Sequence, residues 1–160
     1  DKVYLKYGAE LDHIFIARHK DSNFPNLSED ILSGGLGPSS CPPIAPPQQN
    51  YRGWIVVSSR PENHRDSIEH WLLMHNIALD KLLLRDDSRF SIKASDGPYE
   101  KAEIAAKSKA AHIRAEGITH FYEPDLLQTS FIAALVPLTR VYWWNHHLKI
   151  AKLISVHHHV

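Results

Sequence analysis

From Trp54 onward, apolar residues come in short runs that each end at a polar cluster. Trp54-Ile55-Val56-Val57 stops at Ser58-Ser59-Arg60-Pro61-Glu62. A β-branched run with such an ending is the pattern of a buried parallel strand that finishes at a polar site and hands over to a helix. Ile68, Trp71, Leu72 and His75 share one stripe, which predicts a helix from about Arg65 to His75, with Pro61 and Glu62 near its start. A second strand is expected at Lys81–Leu84, and a polar loop from Asp86 to Pro98. A helix rich in Ala and Lys follows from Tyr99 to Glu116, with Gly117 as a left-handed stop. Thr119–Tyr122 reads as a third strand, Leu126–Leu135 as a helix and Arg140–Trp144 as a fourth strand. Strand and helix alternate throughout, which implies an α/β fold: a three-layer sandwich with a mostly parallel sheet. In such sheets ligands sit at the carboxyl ends of the strands, where Ser58, Ser59 and Arg60 are placed.

The first third is less regular. Val3-Tyr4-Leu5 and Ile14-Phe15-Ile16-Ala17 read as two short strands with a turn near Gly8. Over 33–50, three glycines and the prolines at 38, 42, 43, 46 and 47 exclude a continuous helix or a central strand. That stretch is expected to be a long surface loop. The 160 residues suit a single domain, 1–160, with one sizeable core.

Charge narrows the function classes. Lys plus Arg equals Asp plus Glu at 18 each, so no net field argues for nucleic acid or membrane. The 12 His residues make the surface more cationic below neutral pH. One cysteine, Cys41, precludes an internal disulfide framework and favours a reducing intracellular compartment. No apolar run reaches the roughly 18 residues of a membrane-spanning helix, and no secretory apolar region opens the chain. The chain begins at Asp1 rather than Met, as a processed or trimmed product would.

The order of motifs resembles haloacid dehalogenase-like (HAD) phosphatases. The likeness rests on Val56-Val57-Ser58-Ser59-Arg60-Pro61-Glu62, on Trp71-Leu72-Leu73-Met74-His75-Asn76-Ile77, and on Leu82-Leu83-Leu84-Arg85-Asp86-Asp87. Lys101-Ala102-Glu103-Ile104 and Phe121-Tyr122-Glu123-Pro124-Asp125 complete it. It covers residues 54 to about 144 and is nearest to the polynucleotide kinase 3′-phosphatase-like and RNA-repair-associated branches. The resemblance implies a HAD-like fold, with Ser58, Ser59, Arg60 and Lys101 on a phosphate and Glu123 and Asp125 on Mg²⁺. It also implies an aspartate nucleophile at the end of the first strand, followed two residues later by a second aspartate.

That first motif is not evident. If the first strand is His13–Ala17, Arg18 and Lys20 stand where the two carboxylates belong, and Asp21 is one residue out of register. Cationic side chains cannot attack phosphorus and repel Mg²⁺. Three readings follow. One is a HAD-like domain without phosphatase activity and without a cofactor, acting as a binding or structural module. Another is an active Mg²⁺-dependent phosphatase on a nucleotide or nucleic-acid phosphate end, its nucleophile Asp21 or a residue upstream of Asp1. The last is an interaction subunit of a larger protein complex.

Blander roles compete at every position. Ser58 and Arg60 suit helix capping, Lys101 a solvated helix face, and Glu123 and Asp125 the dipole of the next helix. His146-His147 follow a strand, where neighbours point to opposite faces and chelate poorly, and His157–His159 read as a polar tail or tag remnant. Trp143 and Trp144 are expected in the core and at an interface edge, with nucleobase stacking as the alternative.

Overall fold

The computed structural model describes residues 4–12, 14–15 and 52–154. Among these the chain forms β1 (Tyr7–Ala9), β2 (Ile55–Pro61), a 3-10 turn (Glu62–His64), α1 (Arg65–Met74) and β3 (Lys81–Arg85). It continues through α2 (Pro98–Glu116), β4 (His120–Glu123), α3 (Leu126–Leu135), β5 (Arg140–Asn145) and β6 (Ile150–Ile154). The six strands make one sheet in the order β3-β2-β1-β4-β5-β6. All neighbours are parallel except β6, which runs antiparallel to β5. The result is an α/β, Rossmann-like three-layer sandwich.

The two faces of the sheet carry separate cores, because alternate strand residues point to opposite sides. Val56, Leu82, Leu84 and Ala9 meet Ile68, Trp71 and Leu72 of α1. Ile55, Val57, Phe121 and Val141 meet Ala106, Ala110 and Ile113 of α2 together with Ile132 and Ala133 of α3. Gly117 closes α2 at φ 67°, in the left-handed region that glycine adopts without strain.

From 54 to 144 the chain folds as its pattern predicts, whereas β6 was not expected and the described residues of the first third depart from their pattern. The central strand is Tyr7–Ala9, so Gly8 lies inside a strand rather than in a turn. Tyr4 and Leu5 precede it without regular structure, and both are exposed. Ile14 and Phe15, expected in a strand, lie in a turn whose Phe15 amide donates to the Leu11 carbonyl at 2.9 Å. Their apolar side chains serve the core beside α1, a demand that a turn meets as well as a strand. The segment 33–50 lies outside the described residues.

Gly8 is required by close approach. A Cβ there would sit 3.0 Å from Ile118 Cδ1, 3.2 Å from Phe121 Cδ1 and 3.1 Å from the Ile55 carbonyl oxygen. The last is backbone of the neighbouring strand and cannot rotate away. Gly8→Ala is therefore expected to cost about 1–3 kcal/mol by overpacking, read as a lower urea midpoint with an unchanged slope. A midpoint equal to wild type would show that the strands separate freely at this point.

The β3 edge of the sheet is closed by side chains from both helical layers. Arg65 of α1 donates to the Leu82 carbonyl at 2.9 Å, and His112 of α2 meets the Leu84 carbonyl at 2.8 Å. The β6 edge instead exposes Ile150 and Leu153, with Lys152 between them. Lysine on an edge strand discourages pairing with another chain.

Candidate functional site

Successive strands run outward from β1 in one direction through β2 and β3, then restart on its other side with β4. The carboxyl ends of β1 and β4 thus flank the point where the chain's winding reverses, the usual ligand crevice of an open α/β sheet. A cleft of about 390 Å³ opens there, within the range of small-molecule sites. Its walls include Glu10, Asp12, Ser59, Lys101, Lys109 and Glu123.

Glu10-Leu11-Asp12 is the feature that sequence reasoning missed. These residues follow β1 directly, and the Glu10 amide donates to the Tyr122 carbonyl at 3.0 Å. Two carboxylates, spaced two residues apart, therefore stand at the end of the central strand. Arg18 and Lys20, expected in those places, lie outside the described residues, as does Asp21. The signal was present as a Glu-x-Asp pair, hidden because a three-residue strand with a central glycine lacks an apolar run.

Lys109 was missed as well. On α2 it is 1% exposed, on the same stripe as Ala102, Ala105, Ala106 and Ile113. A lysine at an apolar phase of a helix is the sequence signal, since burial at that position demands a charged partner. Its ammonium pairs with Glu10 Oε2, with Glu123 Oε1 at 2.6 Å and with Gln128 Oε1 at 2.8 Å. These three acceptors match its three N–H donors. Burial opposes the charged form of Lys109, but Glu10 and Glu123 outweigh it and raise the pKa above the ordinary lysine value. Burial pushes Glu123 upward too; Lys109 pulls it back and Glu10 adds to the rise, leaving it above the ordinary carboxylate value.

Arg60 makes the second buried pair. Its Nε donates to Asp12 Oδ2 at 3.0 Å and its Nη2 to Asp12 Oδ1 at 2.6 Å, a two-pronged grip on a carboxylate. Arg60 is 1% exposed. Ser58 is fully buried and accepts from the Arg60 amide at 3.1 Å. These contacts explain why β2 continues to Pro61 rather than ending at Ser58: the polar residues remain extended because their partners lie inside. His64, also buried, has its pKa lowered by burial first and then by Arg60 and Arg85, which keeps the ring neutral beside two guanidinium groups.

The remaining candidates divide. Ser59, Lys101, Glu123 and Asp125 line the cleft, while Ser58 and Arg60 lie beneath it. Asp125 is the N-cap of α3: Oδ1 accepts from the Leu127 amide at 3.1 Å and Oδ2 from Gln128 Nε2 at 3.0 Å. His146 lines the cleft, its ring tilted 38° to that of His147 with the centroids 4.1 Å apart. Trp144 is buried in the core, and the half-buried Trp143 donates to the Pro124 carbonyl at 3.0 Å.

The donor set does not fit Mg²⁺. Among the described residues no three His, Cys, Asp or Glu side chains are grouped to hold a metal ion. Glu10 and Glu123 converge on an ammonium, and Asp12 is turned into a guanidinium.

No family model and no curated protein matches the chain. In fold, the chain is similar to one from a solved structure described as "Structure of the Pnkp1/Rnl/Hen1 RNA repair complex". The match has a TM-score of 0.56 at 14% identity and covers 86% of this chain. It spans 41% of the length of that one, so the likeness is to a part of a larger protein and concerns the fold alone.

Proposed function

We propose that the chain is a haloacid dehalogenase-like domain that does not hydrolyse phosphate esters and serves as a binding or structural module. One observation carries this reading: Glu10, Asp12 and Glu123, the three buried carboxylates at the ends of β1 and β4, are each engaged in a buried ion pair. Glu10 and Glu123 are held by Lys109, and Asp12 by Arg60. A nucleophilic carboxylate needs a free lone pair aimed at the reacting atom, whereas Glu10 and Glu123 are fixed by Lys109, whose three donors are all committed, and Asp12 by the Nε and Nη2 of Arg60. The lack of turnover thus follows from pairing and from glutamate at the strand end, with no need for cations at Arg18 and Lys20. Ser59 and Lys101 remain at the cleft wall, where a phosphorylated ligand, a nucleotide or a nucleic-acid end, meets them only when the Glu10 carboxylate gives way. Ser58, Arg60, Glu123 and Asp125 act as framework. Assembly with other proteins is in keeping with the fold neighbour, which comes from an RNA repair complex.

A second reading, a Mg²⁺-dependent phosphatase, draws on Glu10, Asp12, Lys109 and Glu123 all meeting at one cleft. The two are separated by assaying the purified chain with Mg²⁺ on a generic phosphomonoester and on a 3′-phosphorylated oligonucleotide. Release of phosphate at the rate of a buffer blank is expected. Turnover above blank that disappears in both Glu10→Gln and Asp12→Asn would establish the phosphatase instead.

A further inference from the structure

We infer that Glu10 is a built-in plug: its carboxylate fills an anion-binding nest at the end of the central strand that would otherwise take a phosphate group. This deepens the reading above and rests on it. Glu10 Oε1 accepts from the Leu11 amide at 3.0 Å and from the Asp12 amide at 3.3 Å. Two successive backbone N–H groups converging on one oxygen form the concavity that binds phosphates and other oxyanions. The other oxygen of the same carboxylate pairs with the Lys109 ammonium. The nest and the cation together present three donors to one small anion, and the chain supplies that anion itself.

The placement is what a ligand's phosphate would need. The carboxylate is 3% exposed, lies in the wall of the cleft, and has Ser59 and Lys101 on the same walls. Charge accounts for its being held: three carboxylates, Glu10, Asp12 and Glu123, face two buried cations, Lys109 and Arg60. The excess negative charge repels a second anion as long as Glu10 stays in place. Removing the Glu10 side chain balances the remaining four groups and uncovers both amides. The ligand class is then a phosphate monoester or inorganic phosphate, bound by charge-assisted hydrogen bonds of the kind Glu10 now makes.

The test compares wild type, Glu10→Ala and Glu10→Gln in titrations with inorganic phosphate, followed by calorimetry and by the amide resonances of Leu11 and Asp12. Glutamine keeps an oxygen for the nest, so it should stay plugged, as should wild type. Alanine should bind phosphate at least about tenfold more tightly than either, with saturable movement of both amide resonances. Wild type that binds phosphate as tightly as Glu10→Ala overturns the inference, as does a folded alanine variant that gains nothing. Should the alanine variant not fold, the wild-type amides decide. Saturable movement of both on adding phosphate refutes the plug, and indifference supports it. Phosphate binding by wild type without turnover would sink the plug alone. Turnover by wild type would sink the reading on which it rests.

Discussion

Replacing Lys109 with methionine is expected to destabilise the domain by about 3–5 kcal/mol, because it strips the counter-charge from two buried carboxylates. Methionine fills nearly the same volume, so the loss is electrostatic rather than a cavity. That amount is a large share of the roughly 5–15 kcal/mol by which domains are stable. The dependence on pH fixes the cause. In the wild type the Glu123 pKa is raised above its unfolded value. Its contribution is therefore most favourable below the ordinary carboxylate pKa and declines as pH rises through the folded value. The raised pKa of Lys109 works at the other end: its stabilisation is complete below the ordinary lysine pKa and is lost as pH climbs above it. Without the ammonium, proton uptake is the remaining way to neutralise the buried Glu123. The gap between variant and wild type in urea denaturation should thus be widest near pH 8 and narrow towards pH 5. Adding Glu10→Gln and Glu123→Gln to Lys109→Met should restore most of the loss. A gap that does not change with pH would mean that Lys109 acts by packing.

Arg60→Met is expected to cost a similar amount, again about 3–5 kcal/mol, since it leaves the buried Asp12 without its two-pronged partner. The companion Asp12→Asn/Arg60→Met should recover most of that stability, because removing both members of a buried pair costs far less than removing one. The two losses should not add simply. Glu10 and Asp12 are separated by a single residue and share its backbone, so a shift that relaxes one pair moves the other. A double-mutant cycle between Lys109→Met and Arg60→Met measures that coupling, and strict additivity would show that the pairs are independent.

How much of this was legible depended on length and environment. β2, β3, β4 and β5 declared themselves because each is an apolar run closed by polar or turn residues, and α1 because its buried residues fall on one stripe. β1 did not, since its three residues are Tyr, Gly and Ala and its burial comes from flanking strands rather than from its own apolarity. Ile14 and Phe15 drew the strand assignment away from it, as β-branched and aromatic residues do wherever they are buried. β6 went unread: exposed along most of its length and interrupted by Lys152, it has no buried face to reveal a period of two. The error in β1 propagated to the site. A first strand at His13–Ala17 puts Arg18 and Lys20 in the place of the Glu-x-Asp pair, and Lys109, eight residues beyond Lys101, shows only as a lysine at an apolar phase of its helix. Ser59 and Glu123 line the cleft because they stand at strand ends, which the apolar runs before them mark in the sequence.

The closure of β3 bears on the order in which this chain becomes safe from misassembly as it is made. The Leu82 carbonyl is covered by Arg65, 17 residues earlier, so that half of the edge is protected as soon as α1 and β3 meet. The Leu84 carbonyl waits for His112, 28 residues later. A growing chain therefore carries a leucine-rich strand with one edge carbonyl uncovered until nearly all of α2 has been synthesised. During that interval a neighbouring nascent chain can pair with it. Arg65 and His112 are thus guards of the unfinished protein as much as parts of the finished one.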